Sequence, residues 1–386
     1  MKIKVAFDVS GLAWQYRTGV QNLYWAFVDA WATHQASGTA FDAIFYDRSG
    51  QFNLELANKV GTAYAPGIPC WLPSQFHRSF HLFKRVTGIG KPELRGCINH
   101  VWNWNIYNPS FCSGSITIPD ILPLEYPDWF DSSIKKSTES SLMFASGNAD
   151  FVFAISNDVK QRVVKHTGIS SDKIRVVYPG IDNAYFSPED PIITQTVLKK
   201  HGLEPGQFFL SSGFIDPRKN LKRQLEGFKL AQTRGIGNIK YALTGIRTAL
   251  SDDVLQLIES SELREKVIFL GYVPKDELIG LTSQSTALMY CSIAEGFGLP
   301  IIEAMALGAP VITSNNTSMR ELAFSRTRLV DPCDVDDIAE AMLETCGTTK
   351  EEKSTQLAAN RQYASKFTIE NWLKGHLDAY VERSTL

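Results

Sequence analysis

Three features that would assign this chain to a special class of protein are missing from its sequence. No run of about 18 apolar residues occurs, which is the length that a helix needs to span a bilayer. Lys and Arg (39) nearly balance Asp and Glu (41), so no net field attracts nucleic acid or an anionic membrane. The first apolar run is broken by Asp8, which makes it too short for a secretory signal. We therefore expect a cytoplasmic globular protein that does not bind nucleic acid.

Patterned cysteines and metal-binding triplets are also missing. The chain has six cysteines, but they form no Cys-x-x-Cys pair and no regular spacing. We expect them to be reduced thiols, as is usual in a cytoplasmic protein. We find no Asp-x-Asp triplet in a credible loop at a strand end, so a metal-bridged diphosphate is not indicated. No metal site is predicted.

What the sequence does contain is a repeated alternation of short apolar runs and helix-capable stretches. A length of 386 residues favours two domains. The alternation predicts parallel sheets with helices on both faces, and a restart of the pattern places the junction near residues 180 to 192. The predicted strands lie in a first series (2–9, 41–47, 97–103, 114–120, 149–156) and a second (208–213, 240–245, 266–271, 286–292, 309–314).

The most informative stretch is SIAEGFGLPIIEAMALGAPVI, residues 292 to 312, in which Glu295 and Glu303 are eight positions apart. A buried strand should precede it, and a helix should begin near Pro300 and end at Gly308. The glycines around Phe297 allow the backbone to approach a ligand, and the helix start suits a phosphate.

Each glutamate alone has a simpler interpretation, because Glu295 is an ordinary turn residue and Glu303 an ordinary solvated residue of a helix. Together with the glycines and the proline, the two carboxylates can accept hydrogen bonds from vicinal hydroxyls on either side of an anion site. The whole string therefore predicts a nucleotide-sugar site.

The stretch resembles the Glu-x7-Glu signature of the retaining GT-B glycosyltransferases of family 4, also called glycosyl transferases group 1, with a mannosyltransferase-like character. Four further segments are similar to that family: ITIPDILPLEYPDWF (116–130), ADFVFAISNDVKQRV (149–163), VVYPGID (176–182) and SGFIDPRKNLKRQLEGF (212–228).

The resemblance implies an α/β GT-B fold of two Rossmann-like domains with an interdomain cleft. An N-terminal acceptor-binding domain should cover residues 1–185, and a nucleotide-sugar-binding domain residues 190–366. The terminal helix, 367–386, should cross back to the first domain. The implied reaction is the retaining, metal-independent transfer of a sugar from a UDP- or GDP-linked α-donor to a hydroxyl acceptor, with no cofactor besides the nucleotide sugar.

The resemblance also implies roles for residues around the signature. Glu295 should contact hydroxyls of the donor sugar, and Glu303 should hold the ribose. The amides of Phe297, Gly298 and Leu299 should lie near the sugar and the diphosphate.

Other donor contacts are implied outside the signature. Arg218 and Lys219 should bind the diphosphate rather than serve folding, although a solvated charge pair at a helix start is the simpler interpretation. The backbone of Gly19 should face the same phosphates. The nucleobase should rest on the loop after KVIFL, at Tyr272 and Val273.

Two positions depart from the family pattern. Pro119 and Asp120 stand where relatives often carry His-Asp, and the resemblance implies that Asp120 binds the donor. Phe214 stands where some relatives place an arginine. These departures leave open an alternative function, a non-catalytic sugar-nucleotide-binding partner of an active transferase. A phosphorylase-like enzyme would instead need a lysine that carries pyridoxal phosphate. His100, in a predicted strand, either approaches the cleft or packs in the core.

A basic and aromatic segment, FHRSFHLFKRVTGIGKPELRG at 76–96, resembles the family least. It either packs its phenylalanines on the domain or lies on a membrane surface. Peripheral contact at the inner face of the membrane would suit a lipid-linked acceptor. Bacterial polysaccharide or glycan assembly is the expected setting.

Overall fold

The computed structural model describes residues 3–9, 19–36, 41–46, 58, 64–65, 98–102, 114–147, 149–246, 252–259, 263–324 and 327–384. The chain forms two compact units. The first consists of Met1–Gly180 and Ile369–Leu386, and the second of Ile181–Thr368. Segment 76–96, with its basic and aromatic residues, lies outside the described residues.

The first unit is built on a parallel sheet. Its strands follow the spatial order β3-β2-β1-β4-β5-β6-β7 over the described residues. Their bounds are β1 Ile3–Asp8, β2 Phe41–Tyr46, β3 Tyr64–Ala65, β4 Ile98–Trp102, β5 Gly114–Ile118, β6 Ala149–Ala154 and β7 Ile174–Val176. Every residue of β5 is buried, as expected for a central strand covered on both faces. Helices of this part are α1 Gly19–Ala36, α2 Leu122–Glu125, α3 Ser132–Gly147 and α4 Asn157–Thr167.

The second unit repeats this architecture with the strand order β10-β9-β8-β11-β12-β13. The chain adds strands on one side of β8 first and then, from β11, on its other side. Ligands of doubly wound sheets bind where the strand order switches in this way, beyond the carboxyl ends of the strands. The strands are β8 Phe208–Ser211, β9 Lys240–Thr244, β10 Val267–Gly271, β11 Ala287–Tyr290, β12 Val311–Ser314 and β13 Arg328–Val330. The α-helices are α5 Pro191–Lys200, α6 Leu221–Thr233, α7 Asp252–Glu259, α8 Lys275–Gln284, α9 Leu299–Leu307, α10 Thr317–Leu322, α11 Val335–Gly347 and α12 Lys350–Ala364.

Close packing of α6 on α11 depends on one glycine. A Cβ atom at Gly227 would lie 2.7 Å from Cγ2 of Ile338, which is shorter than any normal contact. Phe228, the next residue, is fully buried in the core beside Phe209 and Tyr241 of the sheet. The helix pair therefore covers one face of the second sheet at a distance that only glycine allows.

The last helix, α13 Ile369–Ser384, belongs to the first unit. Its Trp372 lies edge-on to Phe27 of α1, with ring centroids 5.0 Å apart. The hydroxyl of Tyr380 lies 2.7 Å from Nδ1 of His100 on β4. Buried aromatic and hydrogen-bonded contacts thus join the two ends of the chain.

Both parallel sheets and the α/β class are as predicted. All ten predicted strands are present, with the ends shifted by a few residues. Three short strands, β3, β7 and β13, were not predicted, because two or three residues carry no readable periodicity. Within the described ranges, no helix is both long and apolar enough to cross a bilayer.

Candidate functional site

The loops after β8, β9 and β10 meet through three glycines. Gly213, Gly245 and Gly271 all have positive φ (118°, 127° and 70°), which favours glycine. The N–H of Gly245 donates to the carbonyl of Gly271 at 2.7 Å. A Cβ on Gly245 would lie 1.7 Å from the carbonyl oxygen of Gly213, so no other residue fits there. A glycine at or just after the end of each of these strands is visible in the sequence. We did not predict from it that the three loops meet.

Arg218 and Lys219 lie on a short 3₁₀ turn, Pro217–Lys219, that two side chains lock in place. Asp216 begins the turn and accepts a hydrogen bond from the Lys219 N–H at 3.2 Å. Asn220 ends it in the left-handed conformation, with φ of 56°. The Asn220 amide donates to the carbonyls of Cys291 (3.0 Å) and Pro332 (2.7 Å). The two cations are therefore presented by a fixed turn.

Both cations point at Glu295. Nζ of Lys219 donates to Oε1 of Glu295 at 2.8 Å, and Nη1 of Arg218 donates to Oε2 at 3.2 Å. The Glu295 side chain is only 7% exposed, against 24% for Arg218 and 11% for Lys219. The structure thus brings together the three residues that were predicted to be catalytic.

Electrostatics at this cluster follow from burial and from the pairing. Burial by itself raises the pKa of the Glu295 carboxyl, but the charges of Arg218 and Lys219 outweigh it and lower the pKa to about 2. Burial also lowers the pKa of Lys219, against the opposing effect of Glu295. The simpler interpretation of a solvated charge pair is therefore wrong. Because the two cations compensate a buried carboxylate, we expect them to stabilise the fold as well, and their action on the diphosphate stays a prediction.

Tyr290, at the end of β11, is a member of this cluster that was not predicted from the sequence. Its hydroxyl lies 2.6 Å from Nζ of Lys219, and the same ammonium lies 4.1 Å from the centre of the ring. The side chain is buried, and burial, with a further contribution from Glu295, raises the pKa of Tyr290 well above its usual value. A tyrosine at the carboxyl end of a predicted central strand was the available signal.

The loop that carries Glu295 is held by α10 and the residue before it. Asn316 donates to the carbonyl of Ile293 at 2.9 Å. The Ser318 hydroxyl lies 3.1 Å from the carbonyl of Glu295 and 2.7 Å from that of Phe297. No role was predicted from the sequence for these polar residues of the stretch NNTS, 315 to 318.

Glu303 lies one turn inside α9, where it contacts Tyr185 and is also within electrostatic reach of Lys219. The Tyr185 hydroxyl hydrogen-bonds to the Glu303 carboxylate. Burial raises the pKa of Glu303 to about 7, although the hydrogen bond from Tyr185 acts in the opposite direction. Tyr185 is itself buried on the 3₁₀ turn Asn183–Phe186, which Asp182 caps. The carboxylate therefore titrates near neutral pH.

The start of α9 has the predicted form. Gly298 is the residue before the helix, with φ of 115°, and Pro300 lies in the first turn. Leu299 is the first helical residue, and Gly308 ends the helix in the left-handed conformation. The side chain of Phe297 is buried, with its ring 6.0 Å from that of Phe367. The backbone N–H groups of this segment are thus fixed beside Glu295.

The two residues predicted at the nucleobase have different environments. Tyr272 follows β10 and is 76% exposed, so its ring is available to a planar ligand. Val273 is buried and packs in a core cluster with Leu281 and Phe208. Only its backbone can therefore contact a base.

The remaining predicted site residues belong to the first unit. Gly19 is the first residue of α1. Asp120 follows β5, and its carboxylate accepts a hydrogen bond from the Leu122 N–H at 3.0 Å. His100 is fully buried, with Nε2 3.0 Å from the Thr117 hydroxyl, so of its two interpretations the core residue is correct.

An Asp-x-Asp triplet, Asp334-Val335-Asp336, follows β13, a strand that was not predicted. Asp334 caps α11 by accepting from the N–H groups of Asp336 and Asp337. Asp336 pairs with Arg234. Within the residues that the structure describes, no group of three or more His, Cys, Asp or Glu side chains is arranged to hold a metal ion.

Two family models match the chain. The model described as "Glycosyl transferases group 1" matches residues 194–362 in the second unit. The model described as "Glycosyltransferase Family 4" matches residues 118–185.

Individual relatives agree with these matches. The O-antigen chain mannosyltransferase B of Escherichia coli is 29% identical over 280 residues, which is 72% of each chain. The O-antigen chain mannosyltransferase RfbU of Salmonella typhimurium is 31% identical over 228 residues, 58% of this chain and 59% of that relative. The crystal structure of Anabaena Alr3699/HepE in complex with UDP and glucose has a TM-score of 0.72, at 15% identity and 100% coverage of both chains. That last likeness concerns the fold.

Proposed function

This chain belongs to the family 4 (group 1) glycosyltransferases of GT-B fold, and we propose that it moves a sugar from an NDP-α-sugar to a hydroxyl acceptor with retention of configuration. The observation that carries the proposal is the buried Glu295 carboxylate between Lys219 and Arg218, next to the start of α9. Mannose is the favoured donor sugar, because the relatives above are named mannosyltransferases. The base is uracil or guanine.

Arg218 and Lys219 would stabilise the diphosphate as it departs. Charge builds up on the leaving phosphate oxygen in the transition state, and fixed cations in a poorly solvated site stabilise it without reorganisation. The N–H groups of Gly298 and Leu299 at the start of α9 would add to this stabilisation. These groups supply the positive charge that a metal ion provides elsewhere, so the proposed reaction is metal-independent and needs no cofactor besides the nucleotide sugar.

Glu295 would orient the donor sugar. A carboxylate has about four lone-pair positions, so each oxygen can accept a sugar hydroxyl while it remains paired with a cation. The pKa of about 2 keeps Glu295 ionised at any physiological pH. Glu303 would accept the ribose hydroxyls, and Tyr272 would cover the base. Such positioning of reactants accounts for a large part of the rate of a transfer reaction.

The first unit would receive the acceptor, with Asp120 at the donor sugar and Gly19 at the diphosphate. We infer that the acceptor is a growing bacterial glycan, on the strength of the two O-antigen relatives. A lipid-linked acceptor would bring the protein to the inner face of the membrane. Segment 76–96 supports this by composition, since it interleaves five cations with phenylalanines.

The test combines donor turnover with the stereochemistry of the product. Purified protein should release NDP from GDP-mannose or a UDP-sugar, and Glu295→Ala should abolish the release. With an acceptor, NMR of the product should show an α-linkage from the α-donor. A β-linkage would contradict retention. Donor binding without any turnover would favour the alternative, a non-catalytic nucleotide-sugar-binding partner.

A further inference from the structure

Tyr290 contacts the Lys219 ammonium but has no part in the proposed function. Tyr290 lies at the carboxyl end of β11, and its hydroxyl oxygen is 2.6 Å from Nζ of Lys219. The ring centre lies 4.1 Å from the same nitrogen, within the range of a cation–π contact. Strand β11 pairs with β8 and β12, so the tyrosine is carried by the middle of the second sheet.

The hydrogen-bonding capacity of the ammonium leaves room for a ligand. A lysine ammonium has three N–H donors. One is directed to the Tyr290 hydroxyl and one to Oε1 of Glu295 at 2.8 Å, and these are its acceptors within the described part of the chain. The Lys219 side chain keeps 11% exposure. Because Tyr290 and Glu295 hold two of the three N–H groups, they also set the direction of the third.

We propose that Tyr290 is a positioning residue for the donor, which fixes the Lys219 ammonium so that its remaining N–H meets a phosphate oxygen of the nucleoside diphosphate. The inference rests on the proposed function. The Tyr290 hydroxyl also contacts Glu295. It stays protonated because its pKa is raised, so it can donate to the carboxylate while it accepts from the ammonium. One side chain would then set the distance between the sugar-binding carboxylate and the phosphate-binding cation.

The experiment is a double-mutant cycle on nucleotide affinity, measured by calorimetry with UDP and GDP on the whole 386-residue chain. Tyr290→Phe removes the hydroxyl and keeps the ring, whereas Lys219→Met removes the cation. Tyr290→Phe should weaken binding about 10-fold, on the usual effect of a hydrogen bond to a charged group. In the Lys219→Met background, the same change should have no further effect, because the tyrosine acts through the lysine.

The pH profile separates this role from a purely structural one. The affinity of the wild type should fall at alkaline pH as Lys219 loses its proton, and without the hydroxyl the fall should begin at lower pH. The matched control is Tyr380→Phe, which removes a buried, hydrogen-bonded hydroxyl in the first unit. It should lower stability and leave nucleotide affinity and its pH profile unchanged.

The outcomes distinguish the inference from the proposed function. A wild type that binds neither UDP nor GDP overturns both. A wild type that binds, with Tyr290→Phe within twofold of it, overturns the role of Tyr290 alone. Equal losses in the wild-type and Lys219→Met backgrounds would also overturn that role, since the tyrosine would then act independently of the lysine.

Discussion

The carboxylate of Glu295 can be buried only because two cations lie against it. Removing a charge from water costs several kcal/mol, and pairing with good geometry offsets that cost. Lys219 and Arg218 supply the geometry, at 2.8 and 3.2 Å from the two carboxylate oxygens. The same groups are those that we propose for binding the donor. At the residue scale, stability and function therefore share one cluster.

Mutation can separate the contribution of this cluster to stability from its contribution to donor binding. Replacing Arg218 and Lys219 by Ala should weaken NDP binding at least 10-fold and lower the free energy of unfolding by about 3 kcal/mol, because it leaves a buried carboxylate unpaired. Adding Glu295→Gln should restore most of the stability but not the NDP affinity. Urea unfolding and calorimetry measure the two effects. Full recovery of NDP affinity in the triple variant would show that the phosphates bind elsewhere.

Glu303 should make donor binding depend on pH near neutrality. Its pKa of about 7 means that it is ionised above that pH and protonated below it, and only the ionised form accepts hydrogen bonds from both ribose hydroxyls. NDP affinity should therefore fall between pH 8 and pH 6. Glu303→Gln should have low affinity without this step. If the variant keeps the same pH dependence, another group titrates.

At the scale of elements, the last helix is joined to the first sheet by buried histidines. His100 on β4 contacts Tyr380 and Thr117, and His376 on α13 stacks on Phe153 with ring centres 4.7 Å apart. Burial lowers the pKa of His376 to about 4, and burial lowers the pKa of His100 well below its usual value, with a further effect of His376. Both rings are therefore neutral in the folded protein.

Because the folded-state pKa values are depressed, protonation favours the unfolded chain. The free energy that the two neutral histidines contribute to folding is fully present above the pKa of an unfolded histidine, about 6.5. It is lost as the pH falls toward the lower pKa values of the folded state. From pH 7 to 5.5 the free energy of unfolding should fall by about 1 kcal/mol through His376, and His100 should contribute a further fall in the same direction. Urea unfolding at a series of pH values tests this, and His376→Phe should reduce the slope of stability against pH. A slope equal to that of the wild type would contradict the assignment.

At the scale of the whole molecule, each of the two units has its own parallel sheet and its own core. The first unit consists of two chain segments, because α13 returns to it after the second unit is complete. The cluster of Arg218, Lys219 and Glu295, which we propose to bind the donor, lies in the second unit, whereas segment 76–96, which is predicted to touch a membrane, belongs to the first. Donor binding and membrane contact should therefore be separable by mutation.

Flotation with anionic liposomes tests the membrane contact. Wild type should float at low salt and less so at physiological salt, because each cation near the surface contributes about 1 kcal/mol that salt screens. Lys84→Glu with Arg85→Glu should abolish flotation and leave NDP affinity intact. Lys135→Glu with Lys136→Glu, on α3, makes the same change of charge elsewhere and should still float. Flotation that survives the first pair would exclude segment 76–96 as the anchor.

Local pattern was enough to predict the α/β class, the ten longer strands, and the start and end of α9. Apolar runs, glycines and a proline act within a few residues, so they can be read from the chain directly. The resemblance to family 4 glycosyltransferases, which the family models and relatives confirm, selected Glu295, Arg218 and Lys219. Their role on the donor stays a prediction.

Only the tertiary structure decided which groups meet. Arg218 and Glu295 are 77 residues apart in the chain, and Tyr380 and His100 are 280 apart, so no local pattern relates them. The pKa values of about 2 for Glu295 and about 7 for Glu303 differ because the first carboxylate is paired with two cations, whereas the second is desolvated and hydrogen-bonded to a tyrosine. The sequence determined that two carboxylates bracket a helix start. Folding decided which one is charged at every physiological pH, because burial and neighbouring charges, not residue type, set ionisation.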